Sequence, residues 1–492
     1  MDLLLEYHEA TKHSPSSVQS SRFELDWPNK PLPFKIYTSL ELIALPLTFT
    51  ASAMPAFSAI AGPLADNTAS ITLETIARLC YFANGITRVL QRQGQKMPFR
   101  AAACTGALYH IELYVVCAEL TDLSAGVYHY AAHDNALRLL RQGDLRGVLA
   151  AATGEEPSVT QAPVTMVATS TFWRNAWKYQ ARAYRHAFWD TGTIVANLLS
   201  VANANAVSAS LMLGFADGAV NELLDTDPEQ EAAVCLVALG HGTPPASPAP
   251  TLRRLRLPTQ ALSVTQVEYP EIIEAHNASS LRSAAEVRAW RSAASSPGEA
   301  IAAAEPPAWG ETSAIEQVIL RRGSARRFAP APIALNQLMA MLGAATTPVL
   351  VDVPSQTLTQ PYVIVNAVDG VGSGAYVFHK SSSKLELLKP GNFRPQAAFL
   401  DLGQDLASQA AVNVYWLSDL HQVSERLGPR GYRAAQLAAA VEGGKLYLAA
   451  YALGLGATGL TFFDDDVSRF FDAANQSVMF LVAVGHPARR SA

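Results

Sequence analysis

The sequence contains few of the residues that build metal sites, disulfide frameworks or nucleic-acid interfaces. Its 492 residues include four cysteines, none of them in a CxxC pair, and eleven histidines without ligand spacing. We therefore predict no structural zinc, no other metal site and no disulfide scaffold, and the cysteine usage fits a reducing, cytoplasmic setting. Charged residues make up 16%, the net charge is -5 and no basic block occurs, so nucleic acid is not a predicted partner.

The chain also lacks a recognisable export or membrane segment. Its first residues, MDLLLEYHEATKHSPSS, contain acids and no long apolar core, unlike a secretory signal. The longest uncharged stretch, Leu446 to Phe463, carries Gly454, Gly456 and Gly459. Glycines at that density favour a buried helix that ends in a turn and a strand over a membrane span. The sequence thus predicts a cytoplasmic protein without a membrane partner.

Apolar residues and an internal repeat are abundant. Hydrophobic residues make up 49% of the chain, enough for two or three cores at this length. Gly126 to Tyr130 matches Gly374 to Phe378 at an offset of 248 residues. Nearly the same offset relates Leu137–Leu140 to Leu385–Leu388, Gly143 to Gly391, Tyr184–Arg185 to Tyr432–Arg433, and Phe215 to Phe463. Matches in a fixed order indicate two divergent copies of one α+β domain.

We place the two copies at residues 70–244 and 313–492, with an N-terminal arm at 1–69 and a connector at 245–312. Both ends of the connector are rich in proline and alanine, and two short helical segments lie between them. Two fused copies imply a pseudo-symmetric pair, equivalent to a homodimer made in one chain. A site between the copies can then use different residues from each copy.

Copy two opens with a cluster of arginines that copy one lacks. The segment Arg321 to Phe328, RRGSARRF, contains four arginines and a serine, whereas the aligned AIAGPLA at 59–65 has no charge. A guanidinium group can donate two hydrogen bonds to one phosphate, so this cluster favours an anion site. Copy two also ends in GHPARR, residues 485–490, and domain termini often lie close together. The alternative is a solvated basic edge.

Copy one has a loop of small residues that leads into a buried strand. In RAAACTGALYHIELYVV, residues 100–116, the centre is Cys104, Thr105 and Gly106, and the apolar run from Ile111 predicts a strand. Because glycine has no Cβ, the backbone N–H groups of such a loop can approach a flat or anionic ligand. An ordinary tight turn before a strand is the alternative.

Periodicity predicts two helices in copy one. ITLETIARLCYFANG, residues 71–85, is amphipathic and ends at a glycine. The other helix is predicted to run without a break from about residue 175 to 203. That course places Lys178, Arg182 and Arg185 on one helical face.

The lysine on the second helix is followed directly by a tyrosine. Copy two has Arg426 and Leu427 at the places of Lys178 and Tyr179. Burial lowers the pKa of a lysine, so a Lys–Tyr pair near aromatic residues is a candidate for acid–base chemistry. The alternative is an exposed basic helix face with a tyrosine in the core.

Together these motifs resemble the SagB/ThcOx-type (azoline) dehydrogenases of the FMN-dependent nitroreductase superfamily. ACTGALYHIELYVV is similar to their PSAGALYPIELYVV motif, and KYQARAYRHAFWDTGTIVANLLSVA to their KYGxRAYRxxxxDxGHxxxNLLLAA helix. In copy two, RRGSARRF resembles the superfamily's RRSxRxF flavin-phosphate motif, and PSQTLTQPYVIV its PSxxNxQPWxFIVV strand. The resemblance covers most of 70–241 and 313–490. It implies two fused nitroreductase-like domains, each with a central mixed or antiparallel sheet flanked by helices.

The resemblance also implies FMN at the interface of the copies, with phosphate-binding arginines from one copy and a PSxG-type loop from the other. By position, the cofactor-binding residues are Arg321, Arg322, Ser324, Arg326 and Arg489 at the phosphate and flavin edge, Cys104, Thr105 and Gly106 over the ring, and Gly456, Ala457, Thr458 and Gly459 against the flavin. The last turn is expected to donate a backbone N–H to flavin N5. The reciprocal site would pair PSQTLTQP with the arginine-free AIAGPLA, so one FMN per chain is expected.

The chemistry that the resemblance implies is a dehydrogenation. Lys178 and Tyr179 match the family's acid–base pair, in which a base takes a proton and hydride passes to flavin N5. The expected substrate is an azoline-like heterocycle or another small-molecule or peptide-derived intermediate. The alternatives are an NAD(P)H-dependent nitro- or quinone-type reductase and a flavin-free scaffold, and a further homodimer of the fused chain is left open.

Three residues depart from the family pattern around the expected flavin pocket. Ala103-Cys104 stands in place of the PS pair, His110 in place of the proline after GALY, and Thr193 in place of the histidine of GH. These departures leave open a shift in substrate or activity.

Overall fold

Two antiparallel sheets, one in each copy of the repeat, form the framework of the chain. The computed structural model describes residues 2–62, 69–92, 94–294, 313–353 and 357–488. The strands of copy one are β1 (Leu42–Ala44), β2 (Ile86–Arg92), β3 (Gln95–Arg100), β4 (Ile111–Cys117), β5 (Gly126–Ala131), β6 (Ala136–Gln142), β7 (Val164–Thr171), β8 (Ala209–Met212) and β9 (Glu231–Leu239). Those of copy two are β10 (Ile333–Ala334), β11 (Gln360–Val365), β12 (Val368–Asp369), β13 (Gly374–His379), β14 (Lys384–Pro390), β15 (Val412–Ser418), β16 (Gly456–Gly459) and β17 (Ser477–Gly485).

Helices pack around both sheets. The arm and copy one contain α1 (Leu3–Ala10), α2 (Pro15–Ser20), α3 (Ala56–Ala61), α4 (Leu73–Asn84), α5 (Arg146–Ala152), α6 (Pro157–Thr160), α7 (Phe172–Tyr179), α8 (Ala183–Ala204) and α9 (Asp217–Leu224). The connector and copy two contain α10 (Pro270–Ala278), α11 (Ala284–Ala294), α12 (Ile315–Arg321), α13 (Leu335–Thr346), α14 (Arg394–Leu400), α15 (Asp405–Gln409), α16 (Leu420–Leu427), α17 (Arg430–Ala452) and α18 (Asp464–Phe470). In the described ranges, none of these helices is long and apolar enough to cross a membrane.

The two sheets have the same strand order. Copy one arranges its strands as β6-β5-β4-β7-β9-β8, with β1 added at the edge, and copy two as β14-β13-β11-β15-β17-β16. All neighbours in both sheets pair antiparallel. Tyr114 pairs with Val167 and Tyr362 with Tyr415, so the register repeats at the offset seen in the sequence. The predicted fold class, two fused α+β domains that form a pseudo-dimer, is confirmed.

The central helices α8 and α17 meet along the pseudo-two-fold axis. A Cβ added at Gly192 would lie 2.4 Å from the Cβ of Ala440, and one added at Gly444 would lie 2.7 Å from the Cβ of Ala196. Each contact joins equivalent positions of the two helices, because Gly192 and Ala440, like Ala196 and Gly444, differ by the repeat offset of 248 residues. Glycine is required at one residue of each pair, because the helix backbones approach too closely for two side chains.

Buried ion triads join the copies on both sides of this axis. Arg182 and Arg185 of copy one reach Asp464 of copy two, at 3.0 and 2.6 Å. Reciprocally, Arg430 and Arg433 of copy two both lie 2.7 Å from Asp217 of copy one. Burial alone would raise the pKa of both aspartates, but the arginines hold each pKa below its ordinary value, at about 2 for Asp217. Each copy therefore neutralises charges that the other copy buries.

A short helix covers each triad, and the two helices are equivalent. Arg185 donates to the carbonyl of His8 and to Thr11 Oγ1 beside α1, and Arg433 donates to the carbonyl of His276 and to Ser279 Oγ beside α10. The sequences LLEYHEAT (4–11) and IIEAHNAS (272–279) match at these places. We infer that each repeated unit includes such a helix; the domain starts at residues 70 and 313 stay predictions.

The long helix predicted for residues 175–203 is wrong in one respect: it breaks. Helix α7 ends at Tyr179, where Gln180 takes φ 49° and ψ −143°, and α8 begins at Ala183. Lys178 consequently does not share a helical face with Arg182 and Arg185. The two arginines turn into the triad with Asp464, so they are not an exposed basic face either.

Gln180 stores backbone strain that its counterpart avoids. Gly428 of copy two has φ 58° and ψ −165°, a conformation that glycine adopts readily and glutamine does not. We expect Gln180→Gly to raise the free energy of unfolding by about 1 kcal/mol, since about 1–3 kcal/mol of strain is relieved and glycine costs about 0.5–1 kcal/mol. Urea titration measures it, with Gly428→Gln as the matched change of opposite sign. Destabilisation by Gln180→Gly would contradict the strain.

Candidate active site

The loop Cys104–Tyr109 is held against α8 by one buried carboxylate. Asp190 accepts hydrogen bonds from the backbone N–H of Thr105, at 3.0 Å, and from its hydroxyl, at 2.8 Å. Cys104 Sγ and His110 Nε2 lie 3.0 and 2.9 Å from the same carboxylate. Thr193, one turn along α8, donates to the carbonyl of Ala103 at 2.7 Å. The three departures from the family motif thus lie together at the anchor of one loop.

The tyrosine of the predicted acid–base pair lies directly against this loop. Gly106 has φ 57°, and a Cβ there would lie 2.8 Å from the hydroxyl of Tyr179. Tyr179 packs edge-on against His186, with ring centroids 4.5 Å apart. Asn175 links the loop to the helix, because it donates to Thr105 Oγ1 while its Oδ1 lies 2.8 Å from His186 Nδ1. The geometry therefore fixes the tyrosine beside the glycine predicted to cover the flavin.

Lys178 and Tyr179 have pKa values shifted in opposite directions. Burial and the nearby Lys30 lower the pKa of the half-buried Lys178. Burial, with Asp190 and Cys104, raises the pKa of Tyr179 above its ordinary value. The lysine ammonium also lies 5.2 Å from the centre of the tyrosine ring. The lowered pKa favours Lys178 as a base, and the raised pKa keeps the phenol of Tyr179 a hydrogen-bond donor.

The arginine segment of copy two reaches across to the residues just before this loop. Arg322 donates from Nε to the carbonyl of Ala101 at 2.7 Å and from Nη2 to that of Arg100 at 3.0 Å. Two residues on, the hydroxyl of Ser324 lies 2.9 Å from the hydroxyl of Tyr447. The predicted phosphate motif and the predicted ring-covering loop are therefore brought together.

The three predicted cofactor segments of copy two run side by side. Ala325 N–H donates to the carbonyl of Ala457, and the backbones of Phe328 and Pro487 pair in an antiparallel bridge. Gly456 sits tightly between them, since a Cβ there would lie 3.3 Å from the Cβ atoms of both Ala325 and Pro487. The fourth residue of the turn, Gly459, donates its N–H to Tyr447 at 3.2 Å. This contact takes up one N–H group of the turn, and the hydrogen bond from the turn to flavin N5 stays a prediction.

The other arginines predicted to bind the phosphate do not contact copy one among the described residues. Arg321 is exposed and donates to Ser313 Oγ. Arg326 is exposed with Arg327 at a crevice lined also by Asp405. Arg489 lies outside the described residues. The roles of these arginines in phosphate binding stay predictions.

The charge of this region fits an anionic group such as the phosphate of FMN. Among the described residues, no carboxylate forms an ion pair with Arg322, Arg326 or Arg327. Burial lowers the pKa of Arg322, and the cation of Arg88 from β2 acts in the same direction. Leaving a partly buried guanidinium without a counter-ion costs free energy, which a bound phosphate would recover.

The pseudo-symmetric counterpart of this site is filled by the chain itself. Leu211 of β8 occupies the place that Gly459 has in β16, and its N–H donates to the carbonyl of Leu350 at 2.8 Å. Asp352 accepts hydrogen bonds from the N–H groups of Leu213 and Gly214, both at 2.8 Å. The cavity left between β8 and α17 has a volume of ≈ 20 Å³, room for about one water molecule. Parts of the predicted reciprocal site, residues 63–68 and 354–356, lie outside the described residues, so one FMN per chain stays a prediction.

The chain belongs to the nitroreductase family, whose model matches residues 66–241 and 319–486. A crystal structure of a putative nitroreductase from Anabaena variabilis is similar with a TM-score of 0.79 and 27% identity, over 99% of this chain and 100% of that chain. A putative nitroreductase of Methanocaldococcus jannaschii is 21% identical over 154 residues, which cover 31% of this chain and 74% of that protein. A putative nitroreductase from Ralstonia eutropha matches 45% of this chain and 99% of its own length, with 19% identity and a TM-score of 0.34. The protein is therefore an oxidoreductase of a flavin-dependent family.

Two residues of the candidate site are not among those predicted from the sequence. Asp190 could have been predicted, because it matches the aspartate of DxGH in the helix motif. Tyr447 has no such signal, because copy one has Leu199 at the equivalent position and the contacts to Ser324 and Gly459 exist only in three dimensions.

The environment of Cys104 predicts an unreactive thiol. Burial and the Asp190 carboxylate raise its pKa well above the ordinary value, so little thiolate forms near neutral pH. We expect iodoacetamide at pH 8 to label Cys104 at least about tenfold more slowly than free cysteine, by mass spectrometry of the native protein. Asp190→Asn should accelerate labelling, and rapid labelling of the unmutated protein would contradict the contact.

Proposed function

We propose that this protein is an FMN-dependent dehydrogenase that removes two hydrogens from an azoline-like heterocycle or a peptide-derived intermediate. The observation that carries the proposal is the contact of Tyr179, the residue after Lys178, with Gly106 of the loop. Arg322 of copy two, which forms no ion pair among the described residues, donates to the backbone just before this loop. A reductase that takes many acceptors needs no dedicated acid–base pair, and copy two has Arg426 and Leu427 in its place.

Each group has a defined role in this proposal. Arg322 and Ser324 hold the phosphate end of the cofactor, and the loop at Cys104–Gly106 covers the ring. When bound, FMN supplies a hydride acceptor. The neutral amine of Lys178 takes the proton from the substrate carbon, and the phenol of Tyr179 donates a hydrogen bond to the substrate heteroatom. Asp190 keeps the loop in the position that this contact needs.

Flavin content and its dependence on Arg322 test the cofactor half of the proposal. We expect about one FMN per chain, because only one of the two pseudo-symmetric sites presents an unpaired arginine. Arg322→Met should weaken FMN binding about 10–100-fold, since a charge-assisted hydrogen bond contributes about 1.5–3 kcal/mol. Fluorescence titration of apoprotein with FMN measures this. Arg327→Met, at an exposed arginine of the same segment, is the control, because Arg327 lines the crevice beside Asp405 and has no hydrogen bond to copy one among the described contacts.

The proposed dehydrogenation is tested by whether the substrate reduces the bound flavin. Under anaerobic conditions a thiazoline-containing peptide should bleach the visible absorbance of the bound flavin, with formation of the thiazole. Bleaching by NADPH, without any by thiazoline or oxazoline compounds, would instead identify the reductase alternative. Two flavins per chain, or none, would contradict the composite site.

A further inference from the structure

A buried arginine of α7 holds the far end of the loop Cys104–Tyr109. Arg174 lies in the first turn of α7, one turn before Lys178, and is fully buried. Its Nη1 donates to the carbonyl of Tyr109 at 2.8 Å. Asn175, the next residue, ties the start of the loop to the same helix. Both ends of the loop are therefore attached to the helix that ends in the Lys–Tyr pair.

The far end of the loop has a backbone conformation that its residues do not favour. Ala107 and Tyr109 have φ values of 52° and 50°, in the left-handed region where a residue with a Cβ is strained. Such conformations persist only where the surrounding structure holds them. The N–H of Tyr109 donates to Cys104 Sγ at 3.1 Å, and its carbonyl accepts from Arg174. Loss of the arginine should therefore release Tyr109 and its contact with Cys104.

A carboxylate on the neighbouring strand fixes this arginine. Glu112 of β4 lies 2.6 Å from Nη1 of Arg174, and both side chains are buried. The same carboxylate oxygen accepts from the N–H of Lys35 in the arm, at 3.1 Å. Burial alone would raise the pKa of Glu112, but Arg174 and His129 hold it below its ordinary value. The ionised carboxylate therefore keeps the guanidinium in one orientation.

Copy two does not have this ion pair. Its residues at the two equivalent positions are Gln360 and Gln422. Gln360 donates to the carbonyl of Phe378 within its own sheet, and Gln422 is exposed. A contact that only maintained the fold would be expected in both copies, since their sheets share strand order and register. In the described ranges, the pair occurs only in the copy that has Lys178 and Tyr179.

We propose that Arg174 is a positioning residue for the reaction, which together with Glu112 fixes the loop against α7 and so sets the distance from the loop to Lys178. This inference rests on the proposed function, because it assigns a further residue to the same site. Arg174 acts through the backbone of Tyr109 and does not touch the substrate. A misplacement of about 1 Å can lower a rate about 10²-fold, so loss of Arg174 should slow the chemical step.

Labelling of Cys104 reports on the loop independently of turnover. The purified whole chain is treated with iodoacetamide at pH 8, and mass spectrometry follows the peptide that contains Cys104. Arg174→Met should accelerate this labelling at least about tenfold, since a charge-assisted hydrogen bond to the loop is lost. Arg174→Lys keeps the charge and a donor, so its labelling rate should stay within about threefold of that of the unmutated protein.

A second buried arginine of copy one provides the matched control. Arg141 is buried and donates to three backbone carbonyls, all outside the loop. Arg141→Met therefore loses comparable hydrogen bonds and should leave the labelling of Cys104 unchanged. Equal acceleration by Arg141→Met would show a general loosening of the domain and would overturn the inference. Unchanged labelling in folded Arg174→Met would overturn it as well.

A double variant covers the case in which Arg174→Met does not fold, because removing one member of a buried ion pair leaves an uncompensated charge. Glu112→Gln combined with Arg174→Gln removes both charges and reproduces the residue types of copy two. Thermal unfolding establishes that this variant is folded. It should also label at least about tenfold faster at Cys104, and slow labelling in it would contradict the role of Arg174.

Flavin reduction separates this inference from the proposed function. In FMN-loaded protein, Arg174→Met should lower the rate of flavin reduction by a thiazoline-containing peptide at least about tenfold, and Arg174→Lys should restore it. Faster labelling without slower reduction would reject the positioning role and leave the dehydrogenase intact. A protein that oxidises no thiazoline, but whose Cys104 labels faster in Arg174→Met and not in Arg141→Met, would reject azoline oxidation and support Arg174 as the residue that positions the loop.

Discussion

Replacing Lys178 by methionine is expected to lower turnover about 10²–10⁴-fold and to leave FMN bound. General acid–base catalysis contributes rate factors of this size, and methionine keeps the length of the side chain without a proton acceptor. Stopped-flow reduction of the bound flavin by substrate measures the chemical step, and visible absorbance measures flavin content. Arg426→Met, at the pseudo-equivalent residue of copy two, is the control that should retain activity.

The pH dependence of the same step gives a second test of Lys178. Its pKa lies below the ordinary value, and the base is the neutral amine, so the rate should rise as pH rises through that pKa. Lys30→Met removes one cause of the lowering and should move this acidic limb to higher pH. A Lys178→Met variant that loses flavin, or that keeps full turnover with its substrate, would reject the lysine as the base.

The largest expected effect on stability comes from Asp464. Its carboxylate is the only one that forms ion pairs with Arg182 and Arg185 in the described structure, and both arginines are buried. Asp464→Asn leaves two buried cations uncompensated, which should lower the free energy of unfolding by about 3–5 kcal/mol. Chemical denaturation with intrinsic fluorescence measures the loss. Asp465→Asn, an exposed change on the same helix, should cost less than about 1 kcal/mol.

Asp217 provides the pseudo-symmetric comparison. Asp217→Asn should cost a similar amount, because Arg430 and Arg433 depend on it in the same way. Its pKa is lowered from 3.8 to about 2, so its stabilising contribution is complete above about pH 4 and is lost as pH falls towards 2. Acid unfolding of the unmutated protein should therefore steepen in that range, and the steepening should diminish in Asp217→Asn. Stability unaffected by either substitution would contradict the paired triads.

The repeat, the fold class and the two segments of the proposed cofactor site could be located in the sequence because each leaves a local trace. Fixed-order matches reveal the duplication, and RRGSARRF and ACTGALY are contiguous motifs. The break at Gln180 could not be predicted from composition, because glutamine is a good helix former and the family glycine that marks the turn has been replaced. Only the φ and ψ values of this residue show that the helix ends.

The remaining surprises depend on contacts between distant residues. Tyr447 meets Ser324 and Gly459 through the packing of α17 against β16, which no periodicity reports. The filling of the reciprocal site by Leu350 and Asp352 is equally non-local, since it pairs them with β8 about 140 residues earlier. The equivalence of α1 and α10 is also visible only in three dimensions, because the sequence places these helices in the arm and the connector, outside the two copies.

The crossed ion triads make each copy a folding partner of the other. A chain cut within the connector would yield two polypeptides, each with two buried guanidinium groups whose aspartate is on the other piece. Each half would need the other half to fold, so the two would be stable only as a heterodimer. In a single chain, copy one pairs with copy two, whereas two separately encoded copies could also pair with themselves. One copy could then lose the arginines that we propose bind the cofactor and keep the proposed acid–base pair, while the other copy did the reverse.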